Sequence, residues 1–395
     1  TLIGDTAISL WLTTQADRFG RRRTLMIGAV LMAAAGVVFA LTEDFLLLLL
    51  AATIGVISPS GNEVGPFLSV EQAALSQVVA DRRRTAVFAW YTLAGSLATA
   101  VGSLGGGALV SVLQHAAVAP LTSYRFGVAG YAVMGVVLWG LFARLSAAAE
   151  VHSNAGATPP AAPRDARTVP KCSRDAISGH VEPASATSQP AVSQSRLRRL
   201  GLQRSHRVVF KLSTLFALDA FAGGFVIQSI AAYWFHVRFG VSPAVLGAIF
   251  FGANVFAGFS ALVAARLAAR FGLVNTMVFT HLPSNVLLIL VPLMPNLELA
   301  ILVLLLRFSI SQMDVPTRQS YVMAVVPPEE RSAAAGVTGV ARTTGAAISP
   351  LIAGVLLASK ATFNAPFLLA GGLKIVYDLL LYRSFVTVRP PEEKN

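Results

Sequence analysis

Two stretches read against each other decide the architecture: Asp81–Leu109, DRRRTAVFAWYTLAGSLATAVGSLGGGAL, and Glu329–Leu357, EERSAAAGVTGVARTTGAAISPLIAGVLL. From Arg84 to Ser103 is nineteen residues (103 − 84), as is Arg331 to Pro350 (350 − 331). A second pair, Ala16–Gly20 (ADRFG) and Ala268–Gly272 (AARFG), recurs at an offset of 252 (268 − 16), against 247 (331 − 84) for the first. A few loop residues account for the difference. The chain is therefore two repeats of one helical unit.

Working outward, apolar runs long enough to cross a hydrocarbon core recur along the whole chain. Hydrophobic residues make up 55% and charged residues 13% of the 395, against about 25% charged in soluble domains. The class is an all-α membrane protein. About eleven spans are expected, near 1–16, 24–42, 45–79, 84–113, 124–146, 208–236, 242–267, 273–293, 298–326, 330–358 and 362–385. They group as an N-terminal half (1–146), a polar linker (147–206), a C-terminal half (207–386) and a tail (387–395). The linker is rich in Ala, Pro, Ser and Arg, cannot bury a core, and is expected to be disordered.

The net charge of +12 does not imply a nucleic-acid partner. Its arginines gather at the ends of apolar runs (Arg18–Arg23, Arg82–Arg84, Arg266, Arg270, Arg331) instead of forming one stripe. Alternate connections carry few: Arg125, Arg238 and Lys360. This asymmetry predicts a multi-pass protein with linker and C-terminus cytoplasmic. The single Cys172 excludes an internal disulfide. No phosphate-binding loop or His/Cys cluster with metal spacing is present in the sequence, so no cofactor, metal or catalytic set is expected.

On these residues the chain resembles the major facilitator superfamily. TTQADRFGRRR, Thr13–Arg23, is similar to that family's loop between helices 2 and 3, with Asp17, Arg18, Gly20, Arg21 and Arg22 in register. Thr13 and Gln15 stand where the family has Gly and Leu. The resemblance implies a cytoplasmic gate built from these five residues. Gly102, Gly106 and Gly107, matched by Pro350 and Gly354 in the second half, resemble the family's Gly-rich packing motif. Such a stripe lets helices approach closely, as a sliding seam or as static packing. The implied fold is two six-helix pseudo-repeats. Present here would be family helices 2 to 12, with the first helix expected upstream of Thr1.

The resemblance further implies a secondary transporter, expected to be monomeric in the bilayer, that moves a small-molecule substrate by alternating access on a proton or ion gradient. Proton-coupled efflux is the expected mode. Uptake or facilitated passage of an anionic solute, and a non-transporting receptor or scaffold, are the alternatives.

The family's cavity-lining helices correspond here to 45–79, 208–236 and 298–326, which hold Asn62, Glu63, Glu71, Gln72, Asp219, Arg307, Asp314, Arg318 and Gln319. Ionisable groups in hydrocarbon need partners or water. At ~100° per residue, Arg307, Asp314 and Arg318 fall on one helical face, and Asp314 can pair with Arg318 at i, i+4. Proline breaks (Pro59 and Pro66 near Asn62 and Glu63; Pro316 between Asp314 and Arg318) free carbonyls for ligands. The repeat aligns Glu71 with Arg318 (71 + 247) and Gln72 with Gln319. If Glu71 and Arg318 interact across the cavity, reversing both charges should rescue a defect caused by either reversal alone. Asp219 is expected either to carry protons or to neutralise an arginine such as Arg342. His281 is expected to be a packing residue, and Lys374 with Asp378 an i, i+4 structural pair.

Overall fold

The computed structural model describes residues 21–54, 84–145, 205–327 and 330–388. Described in the first half are α1 (Arg21–Leu41), α2 (Phe45–Ile54), α3 (Arg84–His115) and α4 (Pro120–Phe142). The second half comprises α5 (His206–Gly224), α6 (Gln228–Phe239), α7 (Pro243–Phe271), α8 (Leu273–Leu290), α9 (Leu297–Ser311), α10 (Asp314–Val325), α11 (Arg331–Leu357) and α12 (Ala365–Phe385). No strand occurs among the described residues. The span expected at 1–16 and residues 55–79 of the span expected at 45–79 lie outside them, as do Asp17, Arg18, Gly20, Asn62, Glu63, Glu71 and Gln72.

Nine described segments are long and apolar enough to cross a bilayer. Their outer faces expose Val355, Leu351, Phe210 and Leu302. In water such a surface would aggregate; against lipid it is the matched solvent. Polar termination follows ordinary rules. Pro120 and Pro243 sit in the first turns of α4 and α7, where the missing N–H is no loss. Asn296 caps α9 by accepting from the Leu299 N–H at 2.9 Å.

Two spans that read as continuous in the sequence are broken. The 208–236 span parts at residues 225–227, after Gly223 and Gly224. The 298–326 span parts at Gln312 and Met313. The second break therefore precedes Asp314. Pro316 lies in the first turn of α10, where it costs no hydrogen bond. The Gln312 N–H exposed by the break donates to Ser260 Oγ of α7 at 3.3 Å.

The halves meet where α3 packs antiparallel along α7. A Cβ built on Gly247 would lie 2.7 Å from the Ser103 carbonyl oxygen and 3.2 Å from Gly107 Cα. Gly258 sits against the side chains of Leu93 and Ser96, and Gln228 Nε2 donates to Ser103 Oγ at 3.2 Å. Backbone contact this close is available only to glycine. The expected glycine stripe is only partly used: Gly107 makes close contact, whereas Gly102, Gly106 and Gly354 touch no neighbour among the described residues. Pro350 packs instead near Gly224, where α11 crosses α5. The partners at these seams are Gly224, Gly247 and Gly258, because spacing within one helix does not reveal which face meets another.

Candidate functional site

The second half buries a cluster of charges among α5, α8, α10 and α12. On α5 the buried face runs Leu212, Leu215, Phe216, Asp219, Ala222, the helical period that turns Asp219 inward. On α12 it runs Phe367, Ala370, Lys374, Tyr377, Asp378, Leu381, placing two charges in an apolar stripe. Asp314 opens α10, at the positive end of its dipole, with Arg318 one turn on.

Asp219 is the hub. Its Oδ2 accepts from Arg318 Nη1 at 3.0 Å, and its Oδ1 from Lys374 Nζ at 2.5 Å. The same Arg318 Nη1 donates to Asp314 Oδ2 at 3.0 Å, the expected i, i+4 pair. Phe216 lies beneath the Arg318 guanidinium, 5.5 Å from ring centroid to carbon. All four charged side chains are buried, Asp219 being 4% exposed. Two cations, one of them shared, against two carboxylates leave this core electrically balanced, the condition under which buried charges persist.

Beside it lies a second group. Asp378 accepts from His281 Nδ1 at 2.8 Å and from Asn285 Nδ2 at 2.9 Å. Tyr377, also buried, stands edge-on to His281 at 6.0 Å. Gly371 permits this closeness of α8 and α12, since a Cβ there would meet the Asn285 carbonyl at 2.9 Å.

The structure thus brings together Asp219, Asp314 and Arg318 from the expected set, and adds Lys374. The expected Lys374–Asp378 pair is replaced by pairs across helices: Lys374 reaches α5, and Asp378 reaches α8. Arg318 and Lys374, not Arg342, hold the oxygens of Asp219; half-buried Arg342 on α11 adds positive field there. Arg307 precedes the break at Gln312 and Met313 and Asp314 follows it, so Arg307, Asp314 and Arg318 do not share one continuous helix, although Arg307 still lies within the field of Asp314. Arg307 Nε is buried without a hydrogen-bond partner, and its guanidinium lies over the Phe308 ring at 4.8 Å. Gln319 is half-buried and stays outside the network. Arg21 opens α1, and Arg22 Nη2 donates to the Ala143 carbonyl at the end of α4, 2.5 Å away. No group of three or more metal-ligating side chains occurs among the described residues.

A membrane-embedded pair of helical halves joined by a glycine seam, with charges buried in broken spans, defines a membrane transporter. The family model of the Major Facilitator Superfamily matches residues 2–311 and again 212–395, and the chain belongs to that family. It is 30% identical over 394 residues to the uncharacterized membrane protein YJR124C of Saccharomyces cerevisiae, an alignment covering 98% of this chain and 85% of the yeast protein. Its fold is similar to that of the human organic anion transporter MFSD10 (TETRAN), with TM-score 0.61 and 18% identity over 96% of this chain and 81% of that one. It is also similar to a bacterial homologue of the iron transporter ferroportin in its outward-facing state, with TM-score 0.55 and 15% identity over 97% and 87% of the two chains.

Proposed function

We propose that this transporter is a proton-coupled carrier that exports a small organic solute, acting as a monomer with its linker and C-terminus in the cytoplasm. The observation that carries this reading is Asp219, a carboxylate buried between two broken spans with both oxygens held by cations. Protonating it removes the anion and leaves Arg318 and Lys374 short of a partner, so the pairs must rearrange. Proton occupancy and helix position are then linked, which is what coupling to a gradient requires. The energy source is the gradient itself, with no bound cofactor.

The test uses the full chain in vesicles loaded with a pH-sensitive dye and challenged with a panel of small organic cations and carboxylates. A subset of the panel should move protons under an imposed pH gradient. Asp219→Asn should abolish the proton movement, and Asp314→Asn should weaken it. Solute flux in wild type that ignores the pH gradient would sink the reading.

One observation favours a second reading, transport of an anion. Arg307 Nε is buried without a partner beside an aromatic face, an arrangement a carboxylate would complete. The neighbour MFSD10 is an organic anion transporter. On this reading only the carboxylates of the panel are carried, and Arg307→Gln loses them.

A further inference from the structure

The His281–Asp378–Asn285 group is not used by the carrier chemistry above. It lies between α8 and α12, beside the Asp219 hub, and it is deeply buried: Asn285 is 0%, Asp378 1% and His281 5% exposed. Both Asp378 oxygens have donors, yet Asn285 Oδ1 is buried with none. A packed polar cluster left with a spare acceptor is one hydrogen short.

Lys374 connects this cluster to the hub. It shares a buried helical face with Asp378 one turn further on, and its Nζ is on Asp219. At Gly223 a Cβ would stand 3.6 Å from both Lys374 Cε and Nζ. The glycine thus borders the lysine head at ordinary contact distance. Two carboxylates, Asp219 across the helices and Asp378 at i, i+4, stand within reach of one ammonium. The other charged or titratable groups facing this set are Asp314 and Arg318 from α10, Arg342 from α11 and Tyr377 from α12.

We propose that His281 and Asp378 form a proton-binding site outside the cavity-lining helices, and that Lys374 reports its occupancy to Asp219. With a proton on the imidazole, imidazolium and carboxylate neutralise each other and Lys374 stays on Asp219, where its Nζ is found. When that proton leaves for water, Asp378 is an unbalanced anion. Lys374 then turns to it at i, i+4, and Asp219 keeps only Arg318. One proton is released, no covalent bond other than N–H changes, and the freed Asp219 becomes able to take a proton or a cationic group. This inference rests on the proton-coupled reading.

The test needs no solute. Spin labels are placed at Leu141 on α4 and Phe271 on α7, both exposed, in a Cys172→Ser background in nanodiscs. Their separation is measured from pH 5 to pH 8, the interval in which histidine changes charge. In parallel, the six histidines are followed by nitrogen-15 NMR.

In wild type the ratio of the two distance populations should change about tenfold across that interval, a 1.4 kcal/mol bias. In His281→Gln it should be flat, and Asp378→Asn serves if that variant does not fold. In Lys374→Gln the His281 resonance should still titrate while the distance stays fixed, an outcome a merely structural histidine would not give. A pH-dependent distance that survives in both His281→Gln and Lys374→Gln overturns the inference and leaves proton coupling standing. A wild-type distance that ignores pH removes proton coupling and the inference with it.

Discussion

Replacing Arg318 with methionine is expected to lower the melting temperature of the detergent-solubilised protein by about 10 °C. One nitrogen of Arg318 serves Asp219 and Asp314 at once. Its loss leaves Asp314 with no hydrogen-bonded cation and Asp219 with Lys374 as its one hydrogen-bonded cation. Breaking a buried pair by removing one partner costs about 3–5 kcal/mol, whereas removing the charges together is far cheaper. Arg318→Met combined with Asp314→Asn should therefore recover most of the loss, an interaction measurable as a double-mutant cycle. Melting within a degree or two of wild type for the single variant would mean that cavity water, and not Arg318, solvates the two acids.

The second large effect lies at the seam between halves. Gly247→Val should loosen the packing of α3 on α7 while leaving each half folded. The new Cβ would fall 2.7 Å from the Ser103 carbonyl oxygen, a contact with backbone that no rotamer relieves. Overpacking of this kind costs about 1–3 kcal/mol, enough to shift a two-state seam by roughly five- to 150-fold. Cross-linking of Ser103→Cys to Gln228→Cys with a short bifunctional thiol reagent reads the seam, because Gln228 Nε2 donates to Ser103 Oγ at 3.2 Å across the halves and neither position is a seam glycine. In the Cys172→Ser background the cross-link should form quickly, and about tenfold more slowly once Gly247→Val is added. An unchanged rate would show that the helices part elsewhere.

How far the sequence reaches is clearest in α10 and α12. Asp314 and Arg318 are legible as a pair because i, i+4 spacing within one helix sets their distance. The same rule points to Lys374 with Asp378, and there the outcome differs. Local spacing shows what can meet, but a carboxylate on a neighbouring helix at hydrogen-bond distance wins when the local partner already has donors of its own. His281 and Asn285 supply those donors, and their one visible signal was the shared turn of an apolar helix. The class of protein, its apolar spans and its repeat were readable because they depend on composition and periodicity. The helix breaks were harder to place, since Gly223–Gly224 and Gln312–Met313 interrupt the backbone without interrupting the apolar pattern. The expected first-half contributors Asn62, Glu63, Glu71 and Gln72 lie outside the described residues, so the second half alone carries the site as drawn here.

The wide sequence separation within the charge network also bears on biogenesis. Asp219 precedes Arg318 by 99 residues and Lys374 by 155. At ribosomal speeds of about 5–20 residues per second, Asp219 waits roughly 5–20 s for its first counter-ion and 8–30 s for its second. During that interval α5 must enter the bilayer with an unpaired acid, at about 2.5–3.5 kcal/mol on the insertion scale. The neighbouring Leu215, Phe216, Leu218 and Phe221 offset part of that cost. The rest falls on whatever holds the helix until its partners arrive, so the step most exposed to failure in making this protein comes before its last two helices exist.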